Sequence, residues 1–254
     1  MLFVIDVGNT NFVLGLFRGD NLIKSWRMST VESRTSDEMG IYIHSLLAHS
    51  GFTPAHIENC IISSVVPNIM HSLLNGIRKY FEIEPIICHR DMRLGISLNQ
   101  VGYRELGADR IVNCVAGYRL FGGPIIIIDY GTATTYDAVN AQGEFITGIT
   151  APGIKISAEA LFSRAALLGK VELVFPASPI VNSTAASMQA GIMYSAVGET
   201  EYIVTKLRNE LGQNAKIIAT GGLARTIAAH SKVFDHIRPD LTLEGLRILH
   251  ELNT

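Results

Sequence analysis

Two stretches of this chain follow one plan. VIDVGNTNFVLGLFRGDNLI (Val4–Ile23) and IIDYGTATTYDAVNAQGEFI (Ile127–Ile146) each run from apolar residues into Asp-x-Gly, then through an alternating segment and a polar turn. An unbroken apolar run marks a strand buried on both faces, and alternation marks strands half-buried in a hairpin. Asp6 and Asp129 stand 123 residues apart in a chain of 254. Self-similarity on that scale points to two lobes of one architecture rather than a solenoid. We place the lobes at 1–115 and 116–254, a length that suits one large domain or two modest ones.

The rest of the chain supplies the other layers of an α/β fold, mixed sheets flanked by helices. The spacing of Met39, Ile43, Leu46 and Leu47 predicts a helix over 36–50 with Gly51 as its stop. CIISSVVP reads as a strand running into a loop, followed by a helix over 68–81 and a strand in EPIICHR. LGADRIVNCVAGYRLFGG predicts a helix starting near Asp109 and closing at Gly122-Gly123. Arg18–Asn21 and Asn140–Gly143 have the composition of hairpin turns. Helices are expected over 156–168 and 185–211, a strand in AKIIATGG, and a closing helix in EGLRILHEL.

Composition narrows the function classes. With 48% hydrophobic and 17% charged residues the chain can build a sizeable core. A net charge of −2 makes no electrostatic case for nucleic acid or an anionic membrane as partner. No segment approaches the roughly 18 uninterrupted apolar residues of a membrane span. The opening MLFVID lacks the basic region and cleavage site of a signal peptide, so a cytoplasmic location is expected. Cys60, Cys88 and Cys114 lie far apart without CxxC spacing, and the eight histidines form no HExxH, which argues against a disulfide framework or a zinc site. Cys88-His89 is the nearest approach to a metal pair.

The two Asp-x-Gly turns suit a phosphate. At Asp6-Val7-Gly8-Asn9-Thr10 the chain leaves a buried strand and must turn sharply. Gly8 allows a positive φ and lets backbone N–H groups approach a ligand, and successive amides make an anion-binding concavity. Asn9 and Thr10 add neutral donors. Asp6 would repel a phosphate directly, but at a strand end it can hold Mg²⁺ or its waters, which bridge to phosphate oxygens. Asp129-Tyr130-Gly131-Thr132-Ala133-Thr134 offers the same chemistry with more hydroxyls, and Thr220-Gly221-Gly222 is a third turn of this kind. Two such turns could clamp one polyphosphate between lobes. No GxxxxGK[ST] or GxGxxG competes, and LLGKVE around Lys170 lacks both the first glycine and the Ser/Thr.

Gly107-Ala108-Asp109-Arg110 opens a predicted helix, and two readings of it stand side by side. Asp109 is an N-cap and Arg110 a surface residue, or Asp109 takes the proton of an acceptor hydroxyl while Arg110 meets an acidic group on that acceptor. Asn182-Ser183-Thr184 is likewise a cap or a ligand contact, and Lys155 either reaches a phosphate or is solvated.

Taken in order, these motifs resemble the type III pantothenate kinases of the acetate and sugar kinase/Hsp70/actin superfamily. The resemblance runs through DVGNT with Gly15, Arg34-Thr35-Ser36-Asp37-Glu38, SSVVP, GADRIVN, DYGTATT, GITAPG, the Thr184 helix with MQAG, and ATGG. It implies two ribonuclease-H-like lobes, a duplicated actin-like ATPase fold, and transfer of the ATP γ-phosphate to pantothenate, the first step of coenzyme A synthesis. It implies Mg²⁺, a monovalent cation (K⁺ or NH₄⁺), and a homodimer whose acceptor pocket draws on both subunits. Carried over by position, Asp6, Val7, Gly8, Asn9, Thr10, Asn11, Phe12, Val13 and Thr132, with Gly131 beside it, would bind ATP. Asp6 would reach Mg²⁺ through water. Asp109 would accept the proton, and Gly107, Ala108, Asp109, Arg110 and Thr184 would hold pantothenate. Asp129 would help bind the monovalent cation. The chain departs from the family at Gln100, where a tyrosine is usual and Tyr103 lies nearby, and at Asn182-Ser183, where an arginine often precedes the Thr184 position. A non-catalytic regulator on the same scaffold is disfavoured by Asp6, Asp109, Arg110 and Asp129. A sugar or acetate kinase or an Hsp70-like ATPase is disfavoured by the short chain.

Overall fold

Each apolar run becomes the middle strand of its own sheet. The structure, a computed structural model, describes residues 1–98, 106–164 and 170–254. Strand β1 (Leu2–Val7) pairs antiparallel with β2 (Asn11–Arg18) and parallel with β4 (Asn59–Ser64). Outside them, β3 (Asn21–Ser29) pairs with β2, and β5 (Ile86–Ile87) with β4, giving the order β3-β2-β1-β4-β5. The second sheet repeats this plan. β6 (Ile125–Tyr130) lies between antiparallel β7 (Ala133–Val139) and parallel β9 (Lys216–Gly221), with β8 (Phe145–Pro152) and β10 (His236–Ile237) at the edges. Both hairpins fall where the sequence places them, closed by Gly19 at φ +56° and Gly143 at φ +79°.

The chain divides into two compact units, Met1–Arg119 with Leu241–Thr254, and Leu120–Asp240. This differs from a boundary at 115/116, and it moves the C-terminal helix out of the second lobe. The reason lies in β1, whose two faces both need cover. Phe3, Ile5 and Val7 face a core shared with α1 (Ser36–His49) and α2 (Pro67–Phe81). On the other face, α7 (Leu241–Asn253) buries Leu243, Leu246 and Leu249 and packs on β1, β2 and β4. Gly15 on β2 makes room for it, since a Cβ there would lie 3.0 Å from Leu243 Cδ1.

The helices of the first unit start and cross for local reasons. Thr35 and Glu38 form a capping box at the start of α1. Asp37 in the same turn accepts from Lys79 Nζ at 2.7 Å and from Tyr80 Oη at 3.0 Å on α2. The two helices approach closely because Gly40 and Gly76 face one another; a Cβ at Gly76 would fall 2.8 Å from Ser36 O and 3.1 Å from Gly40 N. Helix α3 (Ala108–Phe121) completes this unit apart from its last residues. In the second unit, α4 (Ile154–Arg164), α5 (Thr184–Leu211) and α6 (Ala224–Ala228) follow the hairpin strands, and Met193, Val204, Leu207 and Ile227 form a core with Ile126, Ile128 and Tyr136. The helix predicted over 156–168 starts two residues earlier, at Ile154, and its expected end at 165–168 lies outside the described residues. Sequence reasoning missed α6 and β10, which are too short to show a period.

Candidate active site

In the first unit, Asp6 sits near the C-terminal end of β1. The register pairs it with Val13 on β2 and with Ser63 on β4. Ser63 Oγ donates a hydrogen bond to Asp6 Oδ1. Burial pushes the Asp6 carboxyl up to about 7; the Ser63 bond opposes that rise and the charge of Asp109 adds to it. Asp109, second residue of α3, therefore lies within electrostatic reach of Asp6. Its Oδ1 accepts from Arg110 N at 2.8 Å. Burial raises its pKa too, while the Arg110 amide and guanidinium pull it down. Gly107 is the hinge of this arrangement, because a Cβ there would fall 2.5 Å from Asp109 Oδ1 and 3.4 Å from Val65 Cγ1. The GADR segment thus packs on Val65, in the loop that follows Ser63 and Ser64 at the end of β4.

The turn beyond β1 is a tight hairpin connection. Gly8 N donates to Asn11 O at 3.0 Å, leaving Asn9 and Thr10 exposed at the tip. Thr30 braces it, donating from Oγ1 to Gly8 O at 2.6 Å and from its amide to Thr10 O at 3.0 Å. Those bonds engage carbonyl oxygens that would otherwise oppose an anion. The expected positive φ at Gly8 is not found, nor does Gly131 have one. A Cβ on Gly8 would instead crowd Asn11 O at 3.2 Å, so its glycine serves close strand approach. Val7 to Val13 form the walls and tip of this hairpin.

The second unit holds the matching turn, one residue shorter. Gly131 N donates to Ala133 O at 3.0 Å, with Thr132 alone at the tip. Asp129 precedes it on β6, paired with Thr135 and Thr220. Two further glycines close on this turn. Gly221, at φ +90°, passes so near that a Cβ would strike Asp129 Oδ1, and a Cβ on Gly153 would strike Thr132 O. Thus ATGG and GITAPG, separate in sequence, both converge on DYGT.

Beside this turn the second unit has a cleft of about 1030 Å³ lined by Tyr130, Thr134, Ile154, Thr184, Met188 and Glu199, among others. Ser183 caps α5, accepting from Ala186 N at 3.2 Å. Thr184, the first residue of the helix, lines the cleft. Of the two sequence readings, capping belongs to Ser183. Lys155 is exposed on α4.

The structure brings Asp6, the Gly8–Val13 hairpin and Gly107–Arg110 together in one unit, and Asp129, Gly131, Thr132 and the Thr184 cleft in the other. Arg34-Thr35-Ser36-Asp37-Glu38 has a structural use, in capping α1 and binding α2. Gln100 and Tyr103 lie outside the described residues, as does the Leu167–Gly169 part of LLGKVE. Sequence reasoning missed Ser63, Thr30 and Gly153 as residues of these turns, whereas Gly221 was named in Thr220-Gly221-Gly222 as a third turn. The signal for Ser63 and Gly153 was present in SSVVP and GITAPG, but strand register is needed to aim each one. Among the described residues no three His, Cys, Asp or Glu side chains gather as a metal cage, and no helix is long and apolar enough to cross a membrane.

Comparison with known proteins gives a consistent result. The family profile for type III pantothenate kinase matches residues 2–206. A type III pantothenate kinase of Bacillus cytotoxicus is 48% identical over 253 residues, spanning 100% of this chain and 97% of that protein. Among solved structures, a Campylobacter jejuni protein assigned to the Baf family of transcriptional activators superposes with a TM-score of 0.59 at 18% identity, covering 98% of this chain and 97% of the other. A Sinorhizobium meliloti protein assigned as a 2-dehydro-3-deoxygalactonokinase reaches a TM-score of 0.57 at 13% identity, covering 99% and 96%. These likenesses carry the fold: each five-stranded mixed sheet with its helices is a ribonuclease-H-like lobe, and the pair is the duplicated actin-like ATPase fold. The profile match, the full-length identity and the ordered DVGNT, GADR and DYGT motifs lead to one conclusion, that this chain belongs to the type III pantothenate kinase family.

Proposed function

We propose that the chain phosphorylates pantothenate, as its family does, with Asp109 taking the proton from the acceptor hydroxyl while both Asp-x-Gly turns bind ATP. The reaction uses ATP and a divalent metal and yields phosphopantothenate for coenzyme A synthesis. The observation that carries the assignment of roles is the Asp6–Asp109 pair, two half-buried carboxylates in one electrostatic neighbourhood, both with raised pKa.

Such a pair fits a hydrated Mg²⁺. Carboxylates crowded away from water favour a cation, and Mg²⁺ is commonly held by one or two carboxylates, its waters and phosphate oxygens. Asp6, fixed by Ser63, would hold it through water, and the ion would supply charge neutralisation at the phosphates. The chain's own residues do the rest. Asn9, Thr10 and the Gly8 turn orient the phosphates, and Thr132 with Gly131 contributes the second contact. Arg110 supports Asp109 and meets the acceptor's carboxylate, for which a guanidinium is well shaped. Gly107 and Ala108 form the backbone next to the acceptor, and the family resemblance assigns Thr184 to the acceptor as well. Asp109, held ready by its raised pKa, accepts the hydroxyl proton as the oxygen attacks.

Asp129 is assigned to a monovalent cation on the family resemblance, and Gly221 brings bare backbone close against its carboxylate. We place K⁺ or NH₄⁺ there, and we assign the active form as a homodimer. The deciding experiment follows ADP release with pantothenate, Mg²⁺ and K⁺. Asp109→Asn is expected to lose roughly 10²- to 10⁴-fold in kcat with ATP affinity nearly unchanged; wild-type turnover in that variant would remove Asp109 from the chemistry.

A further inference from the structure

Behind the second turn, three buried hydroxyls meet at one turn of the long helix α5. Tyr130 immediately precedes Gly131 on β6, and Tyr136 lies on β7 just past the turn. The register pairs Tyr130 with Thr134 and Ile128 with Tyr136, so both rings leave the same face of the sheet. Tyr130, Tyr136 and Thr200 of α5 are all buried. Tyr130 Oη lies 2.8 Å from Thr200 Oγ1, and Tyr136 Oη lies 3.3 Å from it. Thr200 donates its only proton to Ala196 O at 2.8 Å, so it must accept from Tyr130. Tyr136 donates instead to Glu199 Oε1 at 2.9 Å. Burial raises both phenols above their ordinary range, so each stays protonated and remains a donor.

This arrangement is costly unless it has a use. Hydroxyls taken from water into a core of Ile128, Ile154, Met193 and Val204 recover only what their hydrogen bonds return. Phenylalanine and valine would fill the same space with no polar group to satisfy. What the hydroxyls add is direction, since apolar contacts tolerate sliding and fixed donor–acceptor pairs do not. Here the pairs tie both arms of the Gly131–Thr132 hairpin to one turn of α5, the helix whose start carries Thr184.

We infer that Tyr130, Tyr136, Thr200 and Glu199 are positioning residues that fix the Gly131–Thr132 turn against α5 and thereby set the affinity for ATP. The inference rests on reading that turn as a phosphate site. Thr200→Val keeps the shape and removes the acceptor of the Tyr130 hydroxyl. It is expected to raise KM for ATP about five- to tenfold, the scale of one buried neutral hydrogen bond, with kcat and KM for pantothenate unchanged. Thr200→Ser should restore ATP affinity. A purely structural role would lower the melting temperature and the active fraction while leaving KM for ATP at its wild-type value, and that result overturns the inference. If Thr200→Val does not fold, Tyr136→Phe decides, because it keeps the ring and loses only the bond to Glu199: a raised KM for ATP supports positioning and an unchanged one refutes it. Thr132→Asp, which puts a charge at the tip of the turn, separates the two levels. No effect of Thr132→Asp on ATP affinity defeats the phosphate reading and the inference together. A strong effect there with none in Thr200→Val or Tyr136→Phe defeats the inference alone.

Discussion

Gly107→Ala tests whether the place of the Asp109 carboxylate, beyond its presence, matters to the reaction. A Cβ at residue 107 falls 2.5 Å from Asp109 Oδ1 and 3.4 Å from Val65 Cγ1. Ordinary contact lies near ~3.5 Å, so the oxygen must retreat by about 1 Å or the carboxylate must rotate. Val65 already touches the added Cβ and limits any shift of residue 107, so the carboxylate moves, and the simplest movement is rotation. Rotation breaks the bond from Arg110 N to Oδ1, now 2.8 Å. Gly107 has no positive φ, so alanine brings no backbone strain. The loss at this helix start should stay within about 1 kcal/mol. Misplacement of a reacting group by roughly 1 Å can cost on the order of 10²-fold in rate. The expected result is kcat lower by about 10²-fold, KM for ATP unchanged, and a melting temperature lowered by only a few degrees. The assay is coupled ADP release at saturating ATP and pantothenate, paired with a thermal melt of the same preparation. Wild-type kcat in Gly107→Ala would show that the reaction tolerates a displaced carboxylate and would refute the reasoning. A fall in kcat that tracks the unfolded fraction would make Gly107 a packing residue only.

Three further outcomes are expected. Asp129→Asn should flatten the response of turnover to added K⁺ while leaving the melting temperature close to wild type; a full K⁺ response in that variant places the cation elsewhere. Gly76→Ala should destabilise the fold by roughly 1–3 kcal/mol in denaturant titration, because its Cβ would press on Ser36 O at 2.8 Å and Gly40 N at 3.1 Å in a crossing with no slack; an unchanged midpoint would mean the helices can part freely. Burial holds His250 below its ordinary pKa against the opposing charge of Glu251, and its Nε2 has no partner among the described residues. The unfolded chain then binds the proton first as pH falls below about 6.5, so this contribution to stability is complete above that pH and is lost below it. Melting temperature should drop between about pH 7 and pH 5, less steeply in His250→Gln, and equal slopes would exclude His250 as the cause.

The strands and long helices were legible because each announces itself over its own length. Four isoleucines before Asp129 predict a central strand without help from elsewhere, and Met39, Ile43 and Leu47 predict a helix face. The Asp-x-Gly turns were legible for the same reason. What escaped depends on partners distant in sequence. Ser63 becomes a site residue only when β4 docks parallel to β1 in the register that sets it beside Asp6. Gly153 has meaning only as a surface against Thr132. The C-terminal helix carries a clear apolar face, yet nothing within EGLRILHEL says which of two similar sheets it will cover. Gly15 supplies that answer, through the space it leaves for Leu243.

The duplication also bears on the two ion sites proposed above. In both lobes the aspartate is the last but one residue of the middle strand, with a hydroxyl residue opposite it on the parallel neighbour, Ser63 in one and Thr220 in the other. The position after that hydroxyl separates them. Ser64 follows in the first lobe, and its backbone continues into the SSVVP loop against which Gly107 packs, bringing a second carboxylate to Asp6. Gly221 follows in the second lobe and turns at once over Asp129, so no second acid arrives by that route. Two carboxylates near one another suit a divalent ion with its waters, and one carboxylate beside a bare backbone suits a singly charged ion. On the assignment proposed above, a single residue step after a shared strand pair, serine against glycine, is what distinguishes the two cation sites.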